Sequence, residues 1–581
     1  MLIDEPDQAE FAISTLRTCS PVAVDTETYF VDLPEDRKLI GVSAYGKLPT
    51  GQPISYYFPF RHQAEDLFSK IDANLPLDWL PALVEALQEK SQTLLFHNAK
   101  FDLQVFWRDG LDLSNYFIDT MLLSYMLNEN STHALKKLAD IYLEADASSY
   151  EQYLKKLHKQ LGAWHKIPAQ VMGKYAEKDV ELTYRLYELF WPLMEKQSLS
   201  ELWPTEAEFA RLLAEIEFYG VQVDTKKAKQ LDDACQARLE EIQGELGFEP
   251  LKQNQLAQRL FLPEPEGLGF RPGPLSRKTS KAFPDGVPET KEQVLEPLSE
   301  HPVVTAVLEY RSLNKAASTY FRPFYELADT DGRIHPEYQQ HGTVTTRLSC
   351  KNPNMQNLPR RSDDPEAVEM KQRVRGLLQA PQGWELWSFD YSQLEYRLAT
   401  CYGQDQHVLD AYREGSDFHD LTSQQLGLDR YAAKTLNFAI IYGAGARKLA
   451  EMLSLEEREA RDILDRFWDS YPGLRSAIKK ATETANRRTW IRLWTGRRRH
   501  FAYSSEHHKA FNSVIQGGGA ELVKLSMLKL KAFNFKLVGQ VHDEVWLEVP
   551  EGANLDKVKE IMEWPGKEFP IEFPVEGKQL A

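Results

Sequence analysis

Three short apolar runs bounded by turn residues, PVAVDTE, KLIGVSAYG and ISYYFPF, lie within residues 21–60 and predict strands. A fourth, TLLFHNAKFD, reads as a strand running into a helix. From about 113 to 200 the pattern is helical, as in IDTMLLSYML and YAEKDVELTYRLYELF, so roughly the first 200 residues predict a mixed α/β unit. WPTEAEFARLLAEIEFYG opens a second, largely helical stretch. Its middle, 262–288, holds the Pro and Gly of LPEPEGLGFRPGP and KAFPDGVP and predicts an irregular excursion before HPVVTAVLEYRSLNKAASTYF returns to helix. From 331 onward strands and helices mix: ELWSFD predicts a strand, RYAAKTLNFAIIY a helix, and KLVGQVHDEVWLEV alternates as a hairpin does.

Length and composition narrow the class. At roughly 100–200 residues per domain, 581 residues suggest about three to five domains. The apolar share is 42% and the charged share 27%, which excludes wholesale disorder. Cys19, Cys235, Cys350 and Cys401 are widely spaced with no C-x-x-C pair, so neither a disulfide scaffold nor a thiolate zinc site is expected. With no apolar run of ~18 residues and an acidic start, MLIDEPDQAEF, a membrane span and a signal peptide are not expected either, and a cytoplasmic location is. The net charge of −17 argues weakly against a nucleic-acid partner, but its distribution matters more. Arg487, Arg488, Arg492, Arg497, Arg498, Arg499 and Lys509 face one acid, Glu506, within 485–510, and Arg271, Arg277, Lys278 and Lys281 face none within 271–281. The basic residues at 277–281 and 487–499 are expected to grip phosphates, with a solvated face as the alternative reading.

One set of acids lies in the N-terminal third. Asp25 and Glu27 end a predicted strand two residues apart, so their side chains project to one side. Tyr175 and Asp179 are four apart on a predicted helix and share a face, and Asp102 follows HNAKFD. Four acids and a phenol suit two divalent cations and a water nucleophile acting on a phosphodiester. DTET, HNAKFD and YAEKD, in this order, resemble the three motifs of the DnaQ-like 3′–5′ exonuclease fold. That resemblance implies Asp25, Glu27, Asp102 and Asp179 as metal ligands, Tyr175 orienting the water and Asn98 in support. Asp119, in IDTML, is expected to cap a helix rather than bind metal.

A second set lies in the C-terminal half. Asp390 ends ELWSFD and Asp543 sits at the tip of the predicted hairpin, so the two could meet across one sheet and hold two Mg²⁺ for nucleotidyl transfer. Arg430, Lys434, Phe438 and Tyr442 recur every fourth residue and form one slanting helical stripe. Its cations lie near the helix start, suited to phosphates, with aromatics beyond for a sugar and a base. By itself the stripe also suits an aromatic core face under a snorkelling Arg and Lys.

SFDYSQLEYR, RYAAKTLNFAIIYG and QVHDEV resemble motifs A, B and C of family A DNA polymerases, the bacterial DNA polymerase I family. TTRLSCKNPNMQNLP, DFHDLTS, YPGL, TGRRR and FNSVIQGGGAELVK support the match, which with the exonuclease motifs spans about 20–550. The resemblance implies Asp390, Asp543 and the carbonyl of Tyr391 on the catalytic metals, with Glu544 in support. It places Arg430, Lys434 and His419 on the incoming triphosphate, Lys434 also as proton donor to pyrophosphate, Phe438 on the sugar and Tyr442 near the templating base. Glu395, helped by Gln393, would exclude a ribose 2′-hydroxyl. Arg347, Asn354, Gln356, Asn512, Gln516 and His542 would contact primer–template DNA, partly in its minor groove. Ala439 stands where relatives carry Gly, and His508 where bacterial relatives carry Arg, which alters one DNA contact.

The expected architecture is therefore α/β and α+β, multidomain: an RNase H-like exonuclease domain over 1–200, then a right-hand polymerase. The thumb is expected over 201–330, the first part of the palm over 331–404, the fingers over 405–500 with the motif B helix at 429–443, and the second part of the palm over 501–581. The implied activity is template-directed DNA synthesis with 3′–5′ proofreading. Two Mg²⁺ are implied at each site, with Mn²⁺ as substitute. Implied partners are primer–template DNA, dNTPs and a replisome helicase or single-strand-binding protein, with no membrane and a monomeric state. Because no 5′-nuclease motifs precede the exonuclease motifs, a phage-type replicase acting in a bacterial cytoplasm is expected, with an organellar enzyme as alternative. Rival readings are a single-subunit RNA polymerase or reverse transcriptase, a nuclease whose second half only binds DNA, and a non-catalytic DNA-binding accessory protein.

Overall fold

The computed structural model describes residues 1–30, 37–63, 73–89, 92–358 and 365–581, and for 365–368 and 371 the backbone alone. Pro359, the last residue of the TTRLSCKNPNMQNLP motif, lies outside the described residues. Two units divide the chain. The first comprises Met1–Tyr219, Tyr338–Cys350 and Gly383–Gln579, the second Gly220–Glu337, Lys351–Gln382 and Leu580–Ala581.

In the first unit the opening apolar runs form β1 (Val22–Tyr29), β2 (Lys38–Lys47) and β3 (Pro53–Pro59), followed by β4 (Leu94–Phe96), α1 (Ala99–Arg108), β5 (Phe117–Asp119), α2 (Thr120–Leu127), α3 (Leu135–Tyr142) and α4 (Ala169–Lys196). The five strands make one sheet in the order β3-β2-β1-β4-β5. β1 and β2, and β2 and β3, pair antiparallel, whereas β4 runs parallel to β1 and to β5. α4 crosses this sheet, burying Met172, Ala176, Val180 and Leu186. Two features of β1 prepare it for chemistry. β4 pairs with it at Val22 and Ala23, which leaves the backbone of Thr26 to find another partner. The β1–β2 register also shifts between Glu27 and Thr28, a bulge that re-aims the neighbouring side chains.

Helix α5 (Trp203–Tyr219) stands at the head of the stretch expected as a helical thumb from residue 201, yet it packs within the first unit. Trp203 is fully buried and its Nε1 donates to the Phe117 carbonyl at 2.9 Å. The apolar run marks the helix but carries no sign of which core it joins.

The later part of the first unit holds β6 (Trp384–Tyr391), α6 (Leu394–Gly403), α7 (Phe418–Leu426), α8 (Arg430–Ile441), α9 (Pro472–Arg488), β7 (Trp490–Arg492), β8 (Arg498–His500), α10 (Ala510–Ala532), β9 (Lys536–Val541), β10 (Glu544–Pro550) and β11 (Val575–Gln579). β9, β10, β6 and β11 form an antiparallel sheet in that order. β9 and β10 are joined by His542 and Asp543, a two-residue turn in which His542 adopts φ 59°.

The second unit packs the helix Thr225–Leu246 against Pro302–Ala316, and Arg238 reaches Glu309 through two bonds of 2.8 and 3.0 Å. Between Phe261 and Glu292 it has no helix or strand among the described residues, and Arg271, Arg277, Lys278 and Lys281 are exposed there. No helix among the described residues is long and apolar enough to cross a membrane.

Candidate active sites

The first carboxylate set gathers on β1, α1 and α4, and α3 adds Lys136. Thr26, whose N–H has no strand partner on the β4 side, donates from N at 2.9 Å and from Oγ1 at 2.7 Å to Asp102 Oδ1. Asp102 is thereby fixed beside Asp25 and Glu27. Asp179 pairs with Lys136 of α3, whose ammonium lies 4.3 Å from the centre of the Tyr175 ring. Burial pushes the carboxyls of Asp25, Glu27 and Asp102 above their ordinary range, and the charge of Asp25 raises the latter two further; Lys136 pulls Asp25 and Glu27 back. Burial first, then Glu27 and Asp25, raises the Tyr175 phenol, which stays protonated. Asp119 acts on the cluster only through its charge, which adds a little to the rise of Asp102. Its oxygens accept from Asn98 N at 3.0 Å and Ala99 N at 2.8 Å at the start of α1, and from Met121 N at 2.9 Å at the start of α2. The expected cap therefore serves two helices, and it holds Asn98 at φ 77°, one turn before Asp102.

The second site forms where β6 ends. Register places Asp390 opposite Glu544 of β10, and Asp543 immediately precedes Glu544 in the turn, so pairing alone brings the two aspartates to one end of the sheet. Glu544 is largely buried and accepts from Trp546 Nε1 at 2.7 Å. Tyr391 turns its ring inward, its hydroxyl sharing a 2.7 Å hydrogen bond with Ser526 Oγ. On α8 the stripe faces solvent: Phe438 is 48% and Tyr442 36% exposed, while Leu436, Asn437 and Ile440 are buried. An aromatic core face is therefore excluded. Phe438 and Tyr442 stack at 4.3 Å between centroids, and Gln516 Nε2 donates to Tyr442 Oη at 2.7 Å.

Partners of the cations on α8 are not visible in sequence. Arg430 grips Asp417 through Nη2–Oδ2 at 2.7 Å and Nη1–Oδ1 at 3.2 Å, and also pairs with Asp420. Asp417 caps α7 through Asp420 N at 2.7 Å and accepts from Gln393 Nε2 at 2.8 Å. Burial pushes the Asp417 carboxyl up, but its bonds to Arg430, Asp420 N and Gln393 prevail and hold it well below the carboxylate range. Lys434 has no ion pair among the described residues. Glu395 pairs with Arg347. His419, expected on the triphosphate, is buried, with Nδ1 3.0 Å from Asn437 Nδ2 and its ring 4.5 Å from that of Tyr396. Burial lowers its pKa, with the charges of Arg430 and Lys434 adding to the effect and Asp417 opposing it. Asn512 Oδ1 is buried without a hydrogen-bond partner among the described residues. Asn354 and Gln356 belong to the second unit, where Asn354 Oδ1 accepts from Gln356 N at 3.1 Å.

The expected phosphate grip over 487–499 divides. Arg497 is buried between Glu206, Glu521 and Lys524, and Arg499 is buried on Glu129 at 2.9 Å. Neither can meet a phosphate, because each is spent on a buried carboxylate. Arg487, Arg488 and Arg492 remain exposed, and Arg488, Arg492 and Arg498 surround the Trp490 ring at 5.2, 6.0 and 4.3 Å.

Among the described residues no three His, Cys, Asp or Glu side chains form a ready-made metal site. In the first cluster the ammonium of Lys136 stands among the carboxylates, and in the second this chain supplies two aspartates at a strand end. The donors are nonetheless hard carboxylate oxygens, the chemistry that a divalent cation such as Mg²⁺ prefers, so both sets fit one.

Comparison with known proteins decides the family. A family model described as DNA polymerase family A matches residues 222–578, and one described as 3′-5′ exonuclease matches 1–195. The chain belongs to DNA polymerase family A. DNA polymerase I of Synechocystis sp. is 30% identical over 580 residues, covering 91% of this chain and 56% of that protein. DNA polymerase I of Pseudomonas aeruginosa is 30% identical over 601 residues, covering 96% and 62%, and the thermostable DNA polymerase I of Thermus filiformis is 33% identical over 440 residues, covering 70% and 50%. This family A chain thus spans about half the length of the curated relatives it matches. The fold agrees with the POL domain of Pol1 from M. smegmatis in complex with DNA primer-template and dNTP, at a TM-score of 0.80 and 20% identity, covering 100% of this chain and 98% of that one. Family A polymerase and 3′-5′ exonuclease domains generally use divalent metal ions.

Lys136, Thr26 and Asp417 escaped sequence reading. Asp417 was findable, since S-D-F-H-D places an aspartate where a helix begins. LKKL around Lys136 reads as a solvated face, and only the fold turns that lysine inward.

Proposed function

We propose that this chain is a template-directed DNA polymerase with a separate 3′–5′ proofreading site, using primer–template DNA and dNTPs. The observation that carries the reading is the pairing of Asp390 and Asp543 at one sheet end with a solvent-facing stripe of Arg430, Lys434, Phe438 and Tyr442 in the same unit. Asp390 and Asp543 would hold divalent cations, two Mg²⁺ in our reading, which when bound would supply positive charge beside the primer 3′-oxygen and the triphosphate. Lys434 and Arg430 hold the triphosphate, Arg430 after exchanging Asp417 and Asp420 for phosphate oxygens. The stacked pair Phe438–Tyr442 offers apolar faces to the sugar and the base, and Glu395, fixed by Arg347, crowds a ribose 2′-hydroxyl. Positioning and fixed charge do most of the work. At the other site Asp25, Glu27, Asp102 and Asp179 hold two further ions for hydrolysis of a frayed 3′ end, with Tyr175 orienting the water. A replicative, phage-type role is the finer form of this reading; synthesis of long tracts in one binding event supports it, and addition of a few nucleotides per encounter points to gap filling.

Primer extension with Mg²⁺ and four dNTPs tests the two sites together. Asp390→Asn is expected to stop extension while primers still shorten, and Asp25→Ala to extend without degrading. Wild-type protein that only degrades primers would remove the polymerase assignment.

A further inference from the structure

α3 buries Lys136 along with Leu138 and Ala139, whereas the adjacent Lys137 is exposed. Lysine is seldom buried unless paired, and Lys136, 9% exposed, pairs with Asp179 of α4 and covers the face of Tyr175 one turn earlier on that helix. It also acts electrostatically on Asp25 and Glu27 of β1. One side chain thus touches or influences members of the cluster on two elements, in the space where a cation would be held.

We propose that Lys136 is a built-in cation of the exonuclease site, which holds Asp179 and Tyr175 in place when no divalent ion is bound and competes with such an ion for the Asp179 carboxylate. The proposal rests on reading the cluster as that site. Its logic is charge balance. Four carboxylates enclosed without any cation would repel one another in a medium that screens poorly. A single ammonium relieves part of this and leaves the site still short of positive charge. A divalent ion makes up the remainder, but to use an Asp179 oxygen it must take it from Lys136, and it must tolerate the ammonium nearby. Lys136 is in this sense a positioning residue, and its cost is weaker metal binding.

The test counts bound Mn²⁺ by the loss of its free paramagnetic resonance signal. The full chain carries Asp390→Asn and Asp543→Asn, so that the exonuclease carboxylates alone are titrated. Lys136→Met and Lys136→Gln are expected to bind Mn²⁺ more tightly, by roughly tenfold, and to melt at lower temperature in EDTA, with Mn²⁺ restoring the loss. Lys136→Arg should keep the weak binding, and Lys137→Met should leave it unchanged. A neutral variant that folds only with Mn²⁺ also supports the proposal, whereas one that fails to fold with or without Mn²⁺ counts against it, because the lysine is then needed for the fold itself. Unchanged or weaker Mn²⁺ binding in folded Lys136→Met, with binding abolished in Asp25→Ala, overturns the proposal alone. Mn²⁺ binding that survives Asp25→Ala overturns the reading of the site, and the proposal with it.

Discussion

Phe438 shows what a single side chain contributes. It is half exposed, stacked on Tyr442 and carries no polar atom on its ring. Under the proposed function, a sugar packed there would gain area but no hydrogen bond, so a nucleotide without its 3′-hydroxyl would give up an interaction that Phe438 does not replace. Phe438→Tyr supplies a hydroxyl at the ring edge and is expected to raise dideoxynucleotide incorporation relative to dNTPs by roughly tenfold or more, measured as a ratio of kcat/KM values; an unchanged ratio would sink the idea. Residue types at the sites were legible in the sequence because their spacing was, as with Tyr175 and Asp179. Their partners were not. That Arg430 is held by Asp417, or that Arg497 is spent on Glu206, depends on chain segments far apart, and no local pattern encodes it.

Elements carry the next layer. The strands and helices around both sites followed from apolar runs and turn residues, and the hairpin at Asp543 from strict alternation. What escaped was allegiance: α5 reads as the start of a helical region but is bound to the first unit by Trp203 and Glu206. Asp119 links elements in the same way, by capping α1 and α2 at once. Asp119→Ala is expected to lower unfolding free energy by about 2 kcal/mol, near the upper end for removal of a cap, and to reduce exonuclease turnover through displaced Asp102; equal stability by urea titration would contradict it. Glu206 fastens α5 to the residue before β8 and to α10, through Arg497 and Lys524. Burial alone would raise its carboxyl, yet the two cations hold it at about 2, below the ordinary 4.5. A depressed folded value means stability that is complete above about 4.5 and lost as pH falls toward about 2. Glu206→Gln should flatten that acid-side loss and cost about 3 kcal/mol or more at neutral pH, because two buried cations then share Glu521.

For the whole molecule, a net charge of −17 would repel DNA at long range, so under the proposed function attraction must come from concentrated patches. Exposed Arg487, Arg488 and Arg492 provide one in the first unit, and Arg277, Lys278 and Lys281 another in the second. Arg488→Glu with Arg492→Glu is expected to weaken primer–template binding and to lower the slope of log affinity against log salt by about 1 for each phosphate no longer neutralised. The same change at Arg497 and Arg499 should instead unfold the protein, which separates a DNA-facing guanidinium from a structural one. An unaltered salt slope in the first variant would assign Trp490 and its arginines a purely local role.

The burial of Arg497 against Glu206 and of Arg499 against Glu129 bears on how the enzyme could be engineered. A proofreading-deficient version made by cutting away the exonuclease sequence would strip Arg499 of Glu129 and bare the apolar face of α5 around Trp203, Ala207 and Ala210, although Glu206 would stay with Arg497. Such a truncation should express poorly and aggregate, while replacing Asp25 in the intact chain should silence editing and leave the scaffold whole. In this chain the segment matched by the exonuclease model doubles, through Glu129, as a buttress for sequence some 370 residues on.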